Sequence, residues 1–286
     1  MGRMPSSPYT DLDRPPLHQA ELRRGLLVPG GLWTELSVVA ETGSTNADVA
    51  AAARAGAPEG LVVIAESQTA GRGRLDRVWQ VPPRSGLMFS VLLRPTGVPP
   101  ARLGWLPLLA GVALAEAVSA VAQVDAALKW PNDLLVRRPG SGEEYRKCAG
   151  ILAESVAGDQ PAVVLGIGLN VTQRPDELPE PADPGAYRPT SLAGVDASRA
   201  DRATLVRAGL RALAGWYGRW RDAAGDADAA GLRAAYLAAC ATVGTEVSVS
   251  LPGGGEIVGP ATDVDPDGRL RVAGHTLAAG DVRHVR

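Results

Sequence analysis

The sequence predicts an α+β fold: a mixed sheet flanked by helices, followed by a small β-barrel of the SH3 kind. Three features carry this expectation. Strand-like and helix-like segments alternate in the first part of the chain. From Ala126, short apolar runs succeed one another across tight polar turns, which demands antiparallel pairing. After Val243, short strand-like runs are split by glycine- and proline-rich turns. The chain has 286 residues, 45% of them hydrophobic, enough to fill a sizeable core. The expected organisation is an N-terminal extension over 1–35, a main domain over 36–240 and the barrel over 241–286.

The extension is rich in proline, arginine and glycine, with one short helix expected around Leu17–Leu27. LSVVA then reads as a strand, ETGSTN as a polar turn and the alanine-rich stretch to Arg54 as a helix. Thr45 with Asp48 three residues on resembles a capping box, and Gly56 a terminator. LVVIAE and LMFSVLLRP are strands. Leu103–Val124 is a long apolar helix whose Pro107, Glu116, Ser119 and Gln123 mark it as a core helix, not a membrane span. ALKW, LLVRR, KCAGILAES and AVVLGIGLNV are strands separated by the turns PND, PGSGEE and AGDQ. The proline-rich stretch Gln173–Pro189 is unsuited to a helix or central strand. In Leu205–Trp220, the residues Leu205, Val206, Leu210, Leu213, Trp216, Tyr217 and Trp220 share one helical face, the mark of core packing. EVSVSL, EIVGPATDV, RLRV, HTLA and VRHVR, divided by PGGG, DPDG, AG and AAGD, make the barrel.

Composition narrows the function classes. A net charge of −2 provides no general basic field for non-specific nucleic-acid binding, so any anion site is local. Two cysteines, Cys148 and Cys240, and three scattered histidines, His18, His275 and His284, supply neither a disulfide framework nor a zinc spacing. The N-terminus MGRMPSSPYTDLDRPP lacks the apolar core of a signal peptide, and a cytoplasmic protein is expected. Of 29 lysines and arginines, only Lys129 and Lys147 are lysines. A compact ammonium and a planar guanidinium are not interchangeable. Both lysines are therefore candidates for positions where the difference matters, the alternative being chance retention on a solvated face.

The stretch SQTAGRGRLDRVW, Ser67–Trp79, follows a strand in the manner of a phosphate loop. A dinucleotide fingerprint needs a third glycine and an immediate helix. Here the third place is Asp76, Pro82 and Pro83 block a helix, and a Walker lysine is absent. What is left is a loop from Gly71 to Gly86 that carries Arg72, Arg74, Arg77 and Arg84 around Trp79. Arginine forks grip carboxylates and phosphates through paired charge-assisted bonds, and an indole face accepts a stacked base. The loop suits closure over a molecule that has both groups. Taken alone, these residues equally fit a solvated basic loop or an RNA-binding segment.

Five motifs occur together: ETGSTN at 41–46, SQTAGRGR at 67–74, LKWPNDLL at 128–135, KCAGILAE at 147–154 and GIGLNV at 166–171. In this combination and order, residues 38–195 closely resemble the biotin–protein ligases, also called biotin-[acetyl-CoA-carboxylase] ligases, and the last fifth is similar to that family's C-terminal barrel. The resemblance implies a catalytic domain akin to class II aminoacyl-tRNA synthetases over 36–240. It implies two steps: biotin and ATP give biotinyl-5′-adenylate and pyrophosphate, and the biotinyl group then passes to one lysine of a biotin carboxyl carrier domain. It implies catalytic roles for Arg72 and Lys147. A biotin site would comprise Ser44, Thr45, Asn46, Gln68, Gly71, Arg72, Gly73, Arg74, Lys147, Gly166 and Gly168, the last two as a backbone wall open to close ligand approach. An ATP site would comprise Arg72, Arg74, Trp79, Lys129, Asn132, Asp133 and Asn170, with Asp133 positioning Mg²⁺ through water. Ser44 and Thr45 also read as helix caps, and Asn132 and Asp133 as turn formers.

The first step brings together two anions, a carboxylate and a polyphosphate, so it calls for cations and fixed dipoles at the α-phosphate. A movable ammonium at Lys147 suits charge that shifts from carboxylate to phosphate. Many family members read GRGRRG where this chain has Arg74-Leu75-Asp76, so the loop lacks one cation and one glycine. Weaker adenylate retention and an Asp76–Arg77 pair are both open. No histidine lies in a motif, and no general base is assigned for the acceptor lysine; desolvation or a nearby carboxylate would lower that amine's pKa. About 40 residues precede ETGSTN, too few for the three-helix DNA-binding unit that some members carry. The expectation is a monofunctional ligase with no DNA or membrane partner, acting as a monomer or weak homodimer. The glycine-rich RRxSGGG-like loop of lipoate or octanoate ligases is missing. A non-catalytic biotin-binding or RNA-binding protein is disfavoured by the intact Lys147 and loop arginines.

Overall fold

Seven strands form one mixed sheet in the computed structural model, which describes residues 14–285 apart from 159–161, 182–184, 198–199 and 252–253 and leaves the side chain of Asp76 undescribed. Residues 1–13, parts of the AGDQ and PGGG turns and of the proline-rich loop, and an Asp76–Arg77 pair lie outside the described residues. The strands are β1 (Glu35–Val39), β2 (Leu61–Ala65), β3 (Gly86–Leu93), β4 (Asp125–Lys129), β5 (Asp133–Arg137), β6 (Arg146–Val156) and β7 (Ala162–Asn170), in the order β1-β2-β3-β7-β6-β5-β4. β1 and β2 are parallel, and every other pair is antiparallel, as the tight turns of the β4–β7 segment require.

Helices cover both faces. Among the described residues they are α1 (Gln19–Leu26), α2 (Thr45–Arg54), α3 (Trp105–Ala122), α4 (Arg202–Asp222) and α5 (Leu232–Ala239). Side-chain alternation along β2 builds the layers: Val62 and Ile64 enter the large core shared with α3 and α4, while Leu61 and Val63 join a smaller cluster with Val49, Ala50 and Ala53 of α2. Covered on both sides, β2 reads as an unbroken apolar run. α3 is buried almost all round, and the expected stripe of α4 is buried from Leu205 to Trp220. The short alanine-rich α5 is not anticipated by the sequence; it docks through one apolar pair a turn apart, Leu232 and Tyr236.

The second unit is a five-stranded antiparallel sheet of β8 (Glu246–Ser250), β9 (Glu256–Val264), β10 (Leu270–Val272), β11 (His275–Leu277) and β12 (Asp281–His284), in the order β11-β10-β9-β8-β12. Two tryptophans of the main domain fasten it. Trp105 Nε1 donates to Pro266 O at 2.8 Å and Trp130 Nε1 to Gly268 O at 3.1 Å.

The place of the functional site follows from side-chain size. On the α2 side of the sheet, cross-strand rows run Leu92–Val164–Glu154, Ser90–Gly166–Leu152 and Met88–Gly168–Gly150. α2 packs on Leu92 and Val164 of the first row. In the next two rows, glycine and serine stand where bulky residues would otherwise fill the layer, and a hollow results.

Candidate active site

Every residue assigned to ligand binding from the sequence, except Gly71, lines one cavity of about 400 Å³ over that hollow. At one end lies the N-terminus of α2. Ser44 is the N-cap residue but makes no side-chain cap bond. Gln68 takes over that task from the end of the neighbouring strand: its Oε1 accepts from Thr45 N at 2.8 Å and from Thr45 Oγ1 at 3.1 Å. The expected Thr45–Asp48 capping box does not form. With Ser44 as cap, the third helical position is Ala47, which has no acceptor, and Asp48 Oδ2 instead accepts from Thr42 Oγ1.

Behind this end lies a residue that the motifs do not name. Ser90 Oγ is 2.7 Å from Thr45 Oγ1 and 2.6 Å from Asn46 Oδ1, so its hydroxyl, one proton and two lone pairs, joins the polar side chains at the start of α2 to β3. Asn46 Nδ2 donates to Glu154 Oε2 at 2.6 Å. The glycine at 166 serves this network first: a Cβ there would lie 2.0 Å from Asn46 Oδ1. The backbone wall expected to be open to ligand at Gly166 is occupied by the protein's own amide.

The glycine-arginine loop folds back on itself. Gly73 N donates to Arg77 O at 2.6 Å and Trp79 N to Gly71 O at 2.9 Å, Arg72 pairs with Val78, and Leu75 turns the tip at φ 54°. Gly71 sits behind the cavity, where a Cβ would strike Trp79 O at 2.4 Å. Trp79 lies across the floor. A Cβ at Gly168 would be 2.4 Å from its Nε1, and one at Gly150 would be 3.3 Å from its ring. Here too the missing side chain accommodates the protein before any ligand. Trp79 Nε1 is buried with no hydrogen-bond partner among the described residues, a donor that an acceptor on a ligand would satisfy. Gly168→Ala should therefore dislodge the indole and free the loop, read as several-fold faster tryptic cleavage at the loop arginines. An unchanged cleavage rate would show that Trp79 does not hold the loop.

Charge gathers at the other end. Lys147 Nζ lies 2.7 Å from Asp133 Oδ1, and Lys129 Nζ lies 3.9 Å from Oδ2. Burial pushes the Asp133 carboxyl up, but Lys147, Lys129 and Arg74 together outweigh it and hold the group below the usual carboxylate range. Since the folded value lies below the unfolded one, the stabilisation is complete above the ordinary aspartate range and is lost as pH falls through the lower folded value. The arrangement is intact at neutral pH. Burial lowers Lys129 from its ordinary value, against the pull of Asp133. Asn132 Oδ1 accepts from Arg74 at 3.3 Å, and its Nδ2 donates to Ile151 O at 3.1 Å, which ties the loop to the turn before β5.

Asn170 lines the cavity with its amide committed: Nδ2 donates to Thr190 O and Oδ1 accepts from Gln173 Nε2, both at 2.9 Å. The remaining wall comes from parts of the chain without a motif: Tyr187 and Pro189 of the proline-rich loop, and Asp281, Val282 and Arg283 of β12. Asp281 pairs with Arg77 at 2.5 Å, and Gly280 O accepts from Arg74 at 3.3 Å, so the C-terminal sheet also braces the loop.

Known proteins resemble this chain in sequence and in fold. The model of the biotin/lipoate A/B protein ligase family matches residues 42–170. The biotin–[acetyl-CoA-carboxylase] ligase of Mycobacterium tuberculosis is 45% identical over 287 aligned residues, which cover 97% of this chain and 100% of the relative. The chain belongs to the biotin–protein ligase family. A second such ligase, from Paracoccus denitrificans, is 34% identical over 83% of this chain and 93% of its own length. Among solved structures, biotin protein ligase from Aquifex aeolicus in complex with biotin and ATP superposes with a TM-score of 0.69 at 25% identity, covering 89% of this chain and 100% of that one. The family's mixed sheet flanked by helices is the fold described above, and the matched segment runs from Thr42, at the turn before α2, to Asn170, at the end of β7. It thus spans the floor of the cavity and both of its ends.

Proposed function

We propose that this chain activates biotin with ATP and transfers it to a lysine of a biotin carboxyl carrier domain. A carboxylate oxygen of biotin attacks the α-phosphorus, the bond from that phosphorus to the bridging oxygen breaks, and pyrophosphate leaves. The carrier amine then attacks the acyl carbon of the mixed anhydride, the acyl–oxygen bond breaks, AMP leaves and the amine gives up its proton. The observation that carries this reading is one cavity lined at one end by hydroxyl and amide groups and at the other by Lys147, Asp133 and the arginine loop. The ureido ring of biotin belongs at the end of Ser44, Thr45, Asn46 and Gln68. Its carboxylate then points toward Arg72 and Lys147, and the adenine lies on the side of Trp79 and Asn170.

Lys147 starts on Asp133 and follows the charge to the α-phosphate, while Lys129 remains to neutralise the carboxylate left behind. Among the described residues, no cluster of three or more His, Cys, Asp or Glu side chains is placed to hold a metal. That donor set fits magnesium brought in on the triphosphate, held by phosphate oxygens and water, with Asp133 as an acceptor for one of those waters. Neither DNA nor a membrane enters this reaction, and the reading places the enzyme in the cytoplasm as a monomer or weak homodimer. One main-chain group on each edge strand is bonded within the chain, which favours the monomer: Gln19 Oε1 accepts from Val38 N of β1 at 2.7 Å, and Ala241 N donates to Leu128 O of β4 at 2.8 Å.

Incubation of the purified protein with biotin, ATP, magnesium and a carrier domain should add one biotinyl group to the carrier, read by intact mass. Lipoate in place of biotin should add nothing. Modification by lipoate alone, or by neither acid, would contradict the reading.

A further inference from the structure

Lys147 and Asp133 ride on two backbone segments, and each segment is gripped from outside the main sheet. Lys147 N donates to Arg188 O at 2.9 Å and Lys147 O accepts from Thr190 N at 2.8 Å, so the strip 188–190 holds the lysine's main chain on both sides. The turn into Asp133 begins at Trp130, whose N–H donates to Thr242 Oγ1 at 3.0 Å, just after β4 is bridged to Cys240. One side chain joins the two strips. His284, buried on β12, has Nδ1 2.8 Å from Tyr187 Oη and Nε2 3.2 Å from Thr242 Oγ1. The rings of Tyr187 and His284 meet edge to face at 5.3 Å between centroids. Thr242 Oγ1 also accepts from Trp130 N, and the imidazole meets one hydroxyl through each ring nitrogen. The ladder of β12 with β8, in which His284 faces Val247, fixes the imidazole to the C-terminal sheet.

We propose that His284 is a positioning residue for adenylate formation. Through Tyr187 it acts on the strip that holds Lys147, and through Thr242 on the turn that leads to Asp133. It thereby sets the separation from which the ammonium leaves the carboxylate for the phosphate. The inference rests on the ligase reading above. It also gives the C-terminal sheet a specific task, since the histidine reaches the two catalytic segments without itself touching the reacting atoms.

Side-chain shape separates the two arms. Phenylalanine fills the space of the imidazole but satisfies neither hydroxyl; asparagine reaches toward Tyr187 only and glutamine toward Thr242 only. The experiment is biotin-dependent exchange of labelled pyrophosphate into ATP. A displacement of about 1 Å in a catalytic group costs up to ~10²-fold in rate, and partial loosening should give about tenfold. His284→Phe should lower kcat by about that tenfold factor, with the KM for biotin within about twofold. His284→Asn and His284→Gln should fall between it and the parent. Tyr187→Phe and Thr242→Val should each reproduce part of the loss, and adding His284→Phe to the pair should cost nothing further. Unchanged kcat in His284→Phe, a loss confined to KM, or full additivity would overturn the proposal. If His284→Phe does not fold, Tyr187→Phe decides alone: unchanged kcat overturns the proposal and reduced kcat at constant KM supports it. Absence of exchange in the parent enzyme would overturn the ligase reading and this inference together, whereas exchange in the parent with unaffected variants would overturn this inference only.

Discussion

Replacing Lys147 by arginine should lower biotin-dependent pyrophosphate exchange by about 10²-fold, although the charge is kept. The reason lies in its partner. The Asp133 side chain is 12% exposed, and both its oxygens face cations. A single ammonium, a compact charge on a flexible four-carbon stem, can leave such a carboxylate by rotating a few bonds. A guanidinium at the same place would clasp both oxygens in a planar fork and stay there. The loss should fall mainly on kcat, because biotin's ureido end is held elsewhere. Steady-state exchange at saturating biotin is the measurement, and near-parental turnover would refute the special role of the ammonium. A chain in which arginine is otherwise the standard cation, yet lysine makes both ion pairs with Asp133 among the described residues, agrees with this view.

The second large effect concerns stability. Arg202, at the start of α4, makes an ion pair with Glu66 at 2.5 Å, and the two side chains are only 6% and 8% exposed. Arg202 also donates to Gly86 O at 3.2 Å and Pro15 O at 2.6 Å, while Glu66 Oε1 accepts from Leu17 N. The pair binds the N-terminal segment, the end of β2 and the start of β3 at one buried point. Arg202→Ala leaves the carboxylate buried without its cation and should destabilise the protein by ~3–5 kcal/mol. Arg202→Met combined with Glu66→Leu should recover most of that, because no unpaired charge is left. Urea denaturation of the three proteins provides the check; a single variant within about 1 kcal/mol of the parent would show that water reaches the site.

The sequence reveals those parts of this molecule where local chemistry has a local cause. Apolar runs parted by tight turns announce β4 to β7 and their pairing, and the seven-residue stripe of α4 announces its buried face. The short motifs bring together side chains from the α2 turn, the loop, the turn before β5, and β6 and β7. What escapes is tertiary. Ser44 and Thr45 are both good caps, and a choice between them shifts the helix by one residue, which dissolved the expected capping box. Gly166 and Gly168 suggested room for a ligand, but only the fold shows that Asn46 and Trp79 take that room first. Tyr187 and β12 enter the cavity from a proline-rich loop and a terminal sheet whose sequences have no pattern pointing inward. Ser90 did leave a trace, as the one hydroxyl in the apolar run of β3.

In the proposed reaction, Arg72 and Lys147 jointly neutralise two repelling anions. A crystal structure with a non-hydrolysable analogue of biotinyl-5′-adenylate tests this most directly. The expected result places the acyl–phosphate linkage within hydrogen-bond reach of both side chains, with Lys147 Nζ withdrawn from Asp133. An analogue bound with that linkage away from them, and Lys147 still on Asp133, would contradict it.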